Sequence, residues 1–189
     1  MTRPKTLSDE HVLKIAHQLM HEHGPEALTF ARLAKACGLS PATLVQRFES
    51  KARLKQSTLH YAWDRLDEKT AQVADNTPKS VDGAIEFLMA LSRDYGGIES
   101  YADGLLVLRE DLRDPTLRAR GVIWKAKLSN VLESCFEGVL NAPAGVGLLM
   151  ASQWQGSLLW WSFDPQGELE SFVETSLKRF VSVVVTSTA

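Results

Sequence analysis

A short stretch near the N-terminus carries four hydrogen-bonding side chains and no acidic residue between them: Ser40, Thr43, Gln46 and Arg47. Their spacing places them on successive turns of one helix. Hydroxyl, amide and guanidinium groups presented in this way can hydrogen-bond to base edges and phosphates in a major groove. The pattern indicates a nucleic-acid contact.

The segment 29–48 must fold so that this helix is exposed on one side. Thr29 is a suitable N-cap for one helix, and Ser40 followed by Pro41 is suitable for the next. Gly38 between them can adopt the positive φ of a tight turn, and Ala34 permits close approach. Apolar contacts would fix the crossing of the two helices through Leu33, Cys37, Leu39, Leu44 and Phe48. The pattern predicts a DNA-binding helix-turn-helix, with a plain helical hairpin of a bundle as the alternative.

Helical periodicity continues through the rest of the chain, and no segment alternates with period two. We therefore predict an all-α fold of about nine helices. It would comprise an N-terminal helix-turn-helix module of three helices, at 1–52, and a C-terminal helical bundle that dimerises, at 53–189. The predicted helices after the module cover about 50–75, 80–95, 103–111, 115–139, 144–163 and 168–184, with Gly96-Gly97 ending the second of these.

The charge is unevenly distributed along the chain. Residues 1–51 contain seven Lys and Arg against five Asp and Glu, whereas residues 52–189 contain fourteen against eighteen. A basic N-terminal segment and an acidic remainder are typical of a protein that contacts a polyanion through its N-terminal part. The 44% apolar content excludes a wholly disordered chain.

No apolar run reaches the roughly 18 residues of a membrane span, and no hydrophobic signal core follows the N-terminus. Cys37 and Cys135 each lie among apolar neighbours and are expected to be reduced, buried thiols. We predict a cytoplasmic protein.

Segment 12–59 resembles the DNA-binding domain of the TetR family of bacterial transcriptional regulators. The resemblance lies in the order and spacing of Leu19-Met20-His21-Glu22-His23-Gly24, Leu28-Thr29, Leu33-Ala34, Gly38-Leu39-Ser40, Ala42-Thr43-Leu44, Phe48 and Ser50-Lys51. It implies a homodimeric, usually repressing, ligand-responsive regulator that binds an imperfect palindrome of double-stranded DNA. The dimer would form through the last two helices.

The resemblance also implies roles for individual residues. Thr29, Arg32 and Lys51 would contact phosphate, and Thr43 and Gln46 would face the groove. Family members usually have Tyr where this chain has Val45, and that Tyr commonly contacts a phosphate. Valine has no polar group to make this contact. Arg47 stands where they often have His, and could add a phosphate or guanine contact.

All five tryptophans lie outside the first 51 residues. They are expected in the core or dimer interface, with an aromatic ligand cavity as the alternative. In that alternative the effector would be small and apolar, and aromatic or cyclic. It would contact residues of the C-terminal bundle, among which Gln155 supplies a polar group: Phe87, Leu91, Leu105, Leu108, Trp124, Trp154, Gln155 and Leu158.

Two other patterns are weaker. His17 and His21 have the spacing of a metal pair, but a solvated helix face is the better interpretation. Gly145-Val146-Gly147 begins like a dinucleotide-binding loop and lacks its third glycine. We predict no metal site and no cofactor.

Three functions follow from these patterns. The first is a transcriptional regulator released from DNA by a small apolar ligand. The second is a DNA-binding regulator without such an effector, controlled by its abundance or by a protein partner. The third is a helical enzyme or carrier, for which we find no catalytic set in the sequence, so we predict a protein that is not an enzyme.

Overall fold

The computed structural model describes residues 7–93 and 98–186, apart from the side chains of Ser100 and Thr186. These residues form nine α-helices and a single 3-10 turn at Pro25–Ala27, without strands, which confirms the predicted all-α fold. The helices are α1 Asp9–His23, α2 Phe30–Cys37, α3 Pro41–Phe48, α4 Lys51–Asp75, α5 Val81–Ser92, α6 Ile98–Arg113, α7 Pro115–Ser134, α8 Val146–Phe163 and α9 Leu169–Thr186.

Side-chain caps define five of the helix starts. In each case a hydroxyl oxygen accepts the backbone N–H three residues further on, at 3.1–3.2 Å. These contacts satisfy amide groups that the first helical turn leaves without a partner. The capping residues are Ser8, Thr29, Ser40, Ser50 and Ser80.

Two helices differ from the predicted bounds. Helix α6 is longer than the predicted 103–111, and α7 ends at Ser134, so that Val139 lies in the following turns. These turns include Gly138 with a φ of 80°, a conformation that a continuing helix does not allow. The predicted end of α5 at Gly96-Gly97 lies outside the described residues.

The chain divides into two compact units. The first comprises the described residues of Met1–Leu66 and Ala102–Ala119. Its core takes its buried side chains from α1 to α4 and from the start of α7, for example Met20, Leu33 and Leu117. The predicted boundary at residue 52, between a small N-terminal module and a larger bundle, stays a prediction; by compactness the first unit continues to Leu66.

The second unit comprises the described residues of Asp67–Tyr101 and Arg120–Ala189. Helices α5, α7, α8 and α9 supply most of its buried side chains, among them Phe87, Leu132, Trp154 and Leu177. Helix α8 is apolar on most of its surface, so it buries one side in this core and still exposes large apolar residues elsewhere.

The glycines of 145–147 have a structural role in this second unit. The Glu133 carboxylate on α7 accepts the N–H groups of Gly145 at 3.0 Å and Gly147 at 2.7 Å, and so caps α8. A Cβ on Gly147 would lie 2.2 Å from the carbonyl oxygen of Ser129. These glycines therefore allow α8 to begin directly against α7.

Within the described ranges, every helix is too short or too polar to cross a membrane. Cys37 and Cys135 are both free and buried, as expected.

Candidate nucleic-acid interface

Helices α2 and α3 form the predicted helix-turn-helix. Gly38 ends α2 in the left-handed conformation, with φ 66° and ψ 26°, and its N–H donates to the carbonyl of Ala34. Leu44 and Phe48 are buried on the inner side of α3. The opposite side of α3 is consequently presented to solvent.

The start of α3 places two hydroxyl groups together. The oxygen of Ser40 accepts the Thr43 N–H at 3.1 Å, and the two side-chain oxygens are 2.8 Å apart. Gln46 is exposed one turn further on. Val45, at the position where the resemblance expects tyrosine, is 45% exposed and offers only an apolar side chain. Ser40, Thr43 and Gln46 therefore form one polar edge of α3.

Arg47 is placed differently from the rest of this edge. Its Nη1 donates to the carbonyl oxygen of Leu7 at 2.8 Å and to Oδ1 of Asp9 at 3.3 Å. Its side chain is only 18% exposed. A guanidinium engaged in this way holds α3 against the beginning of α1.

Lys51 begins α4 and is exposed, but its Nζ also has partners within the chain. It donates to Oε2 of Glu26 at 3.1 Å and to the Glu26 carbonyl oxygen at 3.3 Å. The hydrogen bond and charge of Lys51 lower the pKa of the Glu26 carboxyl, with smaller contributions from the charges of Lys55 and Arg109. Glu26 thus lies in a basic field.

The two other predicted phosphate contacts lie at the start of α2. Thr29 is half-buried, and its hydroxyl oxygen caps α2 by accepting the Arg32 N–H at 3.2 Å. The Arg32 side chain is exposed. The start of α2 is therefore positively charged, because the exposed Arg32 lies beside the N-terminal end of the helix.

Sequence reasoning missed the carboxylates that hold the two cations. No role at the interface was predicted for Asp9 or Glu26, which pair with Arg47 and Lys51 across 38 and 25 residues of chain. A pattern based on helical spacing carries no signal for pairs so far apart.

The predicted ligand residues separate into two groups. Four of them are buried in the core of the second unit: Phe87, Leu91, Trp154 and Leu158. The Nε1–H of Trp154 donates to Oγ of Ser92 at 2.7 Å. These residues form one apolar cluster, and the indole N–H of Trp154 within it already has a hydrogen-bond partner.

The other four are not part of that buried cluster. Trp124 packs against its edge and donates from Nε1 to Oγ1 of Thr70 at 2.9 Å. Gln155 is exposed. Leu105 and Leu108 are 41% and 45% exposed and belong to the first unit. The prediction that Leu105 and Leu108 lie with the other ligand residues in the C-terminal bundle is therefore wrong.

Two buried polar groups of the second unit have no hydrogen-bond partner within the described part of the chain. They are the Ser129 hydroxyl and the Nε1–H of Trp161, whose side chain is 7% exposed. An unmade hydrogen bond of this kind costs free energy.

Among the described residues, each unit has an open cleft. The cleft of the first unit has a volume of about 420 Å³ and lies along α4 beside Lys55, Gln56, Glu110 and Asp114. That of the second unit has about 710 Å³ and runs along α4, α5 and α9. Neither is lined by a predicted ligand residue.

The rings of His17 and His21 meet edge to face at 5.5 Å between centroids. Burial, with the charge of His21, lowers the pKa of His17. Within residues 7–93 and 98–186, no three His, Cys, Asp or Glu side chains lie close enough together to bind a metal ion.

Comparison with known proteins gives one match to a family model. Residues 12–57 match the model described as bacterial regulatory proteins, tetR family. This range contains the whole of α2 and α3.

A curated relative and two solved structures extend the comparison. The nucleoid occlusion factor SlmA of Shewanella denitrificans is 27% identical over 78% of this chain and 75% of its own. A TetR-family transcriptional regulator of Mesorhizobium loti superposes with a TM-score of 0.68 at 16% identity, over 94% of this chain and 98% of that one. AibR, solved with isovaleryl coenzyme A and operator DNA, superposes with a TM-score of 0.62 at 19% identity, over 92% and 96%. At these identities the two structures show a shared fold.

Proposed function

We propose that this chain, which belongs to the TetR family of bacterial regulatory proteins and is a DNA-binding transcriptional regulator, acts as a repressor at an imperfect palindrome. Two recognition helices α3, one from each subunit of a dimer, would enter successive major grooves. Such a regulator acts on the chromosome, and we place it in the cytoplasm.

The polar edge of α3 is the observation that carries this proposal. Ser40 and Gln46 are exposed on a short helix whose opposite side is fixed by Leu44 and Phe48. Gln can pair with an adenine edge, and hydroxyl groups can contact bases or phosphates. Arg32 and Lys51 add positive charge at the starts of α2 and α4.

Selection of bound sequences from a random duplex pool tests the proposal. We expect enrichment of a two-fold symmetric sequence with half-sites about one helical turn apart or slightly more. A pool that stays random after several rounds would contradict sequence-specific binding. Binding of random duplex alone would then point to an electrostatic contact without base reading.

Exposed apolar residues on α8 and α9 support the dimer. Trp160 is 67% exposed and Phe163 73%, with their ring centroids 5.9 Å apart, and Phe172 of α9 is 38% exposed. Large apolar side chains exposed together mark interaction surfaces. We propose that a second copy of the chain covers them.

We propose a small apolar effector that enters the helical core of the second unit. The buried Trp161 Nε1–H supports this, because a ligand oxygen or nitrogen could complete its hydrogen bond. AibR, a protein of the same fold, was solved with an acyl coenzyme A ligand. An effector acts only if it binds the DNA-free arrangement more tightly than the DNA-bound one.

A second candidate is a DNA-binding regulator without an effector, controlled by abundance or by a protein partner. The packing of Phe87, Leu91, Trp154 and Leu158 favours it, because these residues fill one another's space and the Trp154 donor is satisfied. The curated relative is named for nucleoid occlusion.

A ligand screen separates the two candidates. An apolar effector should raise the melting temperature, quench tryptophan fluorescence and release DNA. Trp161→Phe, which removes the Nε1–H together with part of the ring system, should weaken that response while leaving operator affinity unchanged. A screen of diverse apolar compounds that leaves both melting temperature and DNA affinity unchanged would favour the second candidate.

A further inference from the structure

The ammonium group of Lys51 is held in the free protein by one residue, Glu26. Its Nζ contacts both the carboxylate and the main-chain carbonyl of that residue, at 3.1 and 3.3 Å. We propose that the Glu26 carboxylate occupies the place that a DNA phosphate takes on Lys51, and that DNA binding exchanges one anion for the other. The inference rests on the proposed function, in which Lys51 contacts phosphate.

Local structure fixes Glu26 in this position. It lies in the 3-10 turn Pro25–Ala27, between Gly24, with a φ of 76°, and Leu28, which is completely buried. The backbone that carries Glu26 is therefore anchored at Leu28. The Glu26 carboxylate marks a defined site for negative charge beside the start of α4.

The surroundings favour an anion at this point. Besides Lys51, the charges of Lys55 and Arg109 act on the Glu26 carboxylate. The N-terminus of α4, where Lys51 is the first residue, adds the positive end of a helix dipole. A phosphate approaching here would experience the same attraction once the carboxylate has moved.

The ion pair between Lys51 and Glu26 is exposed enough for a phosphate to replace the carboxylate. The side chains of Lys51 and Glu26 are 46% and 83% exposed, and such surface pairs change an equilibrium by about fivefold or less. By contrast, Arg47 is 18% exposed and held by a main-chain carbonyl. Of these two cations, Lys51 is the one that DNA can recruit at small cost.

A double-mutant cycle tests the exchange. Glu26→Gln, Lys51→Ala and the double variant are compared with the wild type for binding to a labelled random-sequence duplex of about 20 base pairs. We expect Glu26→Gln to tighten binding two- to fivefold and to steepen the log–log salt dependence by up to about one unit. In the Lys51→Ala background the same substitution should have little effect.

A matched control separates exchange from general repulsion. Glu22→Gln removes an equal charge from an exposed residue of α1 in the same unit, and should change affinity less than Glu26→Gln. Thermal unfolding of every variant shows whether the fold is kept.

Three results would overturn the inference. They are unchanged binding by Glu26→Gln, an equal gain in the Lys51→Ala background, and weaker binding by Glu26→Gln. The last would mean that Glu26 positions Lys51 for DNA. Because the random duplex reports only the electrostatic contact, this test gives its answer even if selection finds no operator.

Discussion

The guanidinium of Arg47 donates to the carbonyl oxygen of Leu7 at 2.8 Å, joining α3 to the residue before the Ser8 cap of α1. Asp9, in the first turn of α1, accepts a second hydrogen bond from the same nitrogen at 3.3 Å. A residue that was expected on the DNA side is therefore part of what orients α3.

Arg47→Ala should lower the free energy of unfolding by about 1–3 kcal/mol, because it removes a charged hydrogen bond to a part-buried carbonyl. Chemical denaturation measures this change. We also expect DNA affinity to fall about equally on all sequences. Arg32→Ala, at an exposed position, is the control and should weaken DNA binding without loss of stability. Unchanged stability with altered preference at one base would show that Arg47 reads the sequence.

Gln46→Ala should relax preference at one base position, at a cost of about 1–3 kcal/mol for the preferred base. The expected reason is the loss of a paired amide contact to a base edge from an exposed position on α3. Affinities for a set of operators that differ at single positions measure the effect. A uniform loss across the set would mean that Gln46 contacts phosphate only.

Local signals explain what could be predicted from the sequence. The caps at Thr29 and Ser40 and the turn at Gly38 depend on residues three or four apart, and all were found as predicted. The pairs Arg47–Leu7 and Lys51–Glu26 join distant segments and had no such signal. They exist because folding brings α3 to the start of α1 and the 3-10 turn to the start of α4.

The sequence was less informative about which side of α6 is buried. Leu105 and Leu108 were predicted to contact an effector in the C-terminal bundle, yet both are exposed and belong to the first unit. The inner side of α6 instead carries half-buried acids, Glu110 and Asp111, which are held by Lys55 and Trp63. A polar inner face with partners on α4 cannot be recognised from one helix alone.

Gly147→Ala should destabilise the second unit, because its Cβ would meet the backbone oxygen of Ser129 at 2.2 Å and the backbone of Glu133. Overpacking of this kind costs about 1–3 kcal/mol. Thermal unfolding followed by circular dichroism measures the loss. Gly104→Ala is the control: nothing lies within 4 Å of its Cβ, and alanine is the better helix former. Equal melting temperatures for the two variants would contradict close packing of α8 on α7.

Asp111→Asn should stabilise the protein at neutral pH. Burial raises the pKa of Asp111 to about 6, and the charges of Asp114 and Glu110 add to the shift, against the opposing Trp63 hydrogen bond at 3.1 Å. Above pH 6 the carboxylate is charged in both states and is disfavoured in the folded one. An asparagine oxygen can still accept the Trp63 N–H without this cost.

The pH dependence of that gain follows from the same shift. As the pH falls through about 6, the folded protein takes up a proton that the unfolded chain binds only near its ordinary pKa of 3.8. The advantage of Asp111→Asn should therefore shrink between about pH 6 and 4. Urea unfolding of both proteins across this range measures it, and contributions from His17 cancel in the difference. An advantage independent of pH would show that Asp111 carries no raised pKa.

Phe172→Glu and Trp160→Glu should break the proposed dimer while each subunit stays folded. Both side chains are exposed apolar groups of α8 and α9, so a charge there costs the single subunit little, but it would be buried in the dimer. Leu177→Glu is unsuitable, because Leu177 is completely buried in the core of the second unit and its replacement would unfold the subunit.

Light scattering at micromolar concentration should give a dimer mass for the wild type and a monomer mass for both variants. Operator affinity should fall by roughly 100-fold or more, because two linked half-site contacts become independent. Val122→Glu introduces the same charge at a 61% exposed apolar position on α7 and should leave mass and affinity unchanged. If Phe172→Glu and Trp160→Glu remain dimeric, α8 and α9 do not form the interface. If they become monomers with full operator affinity, DNA binding does not need the dimer.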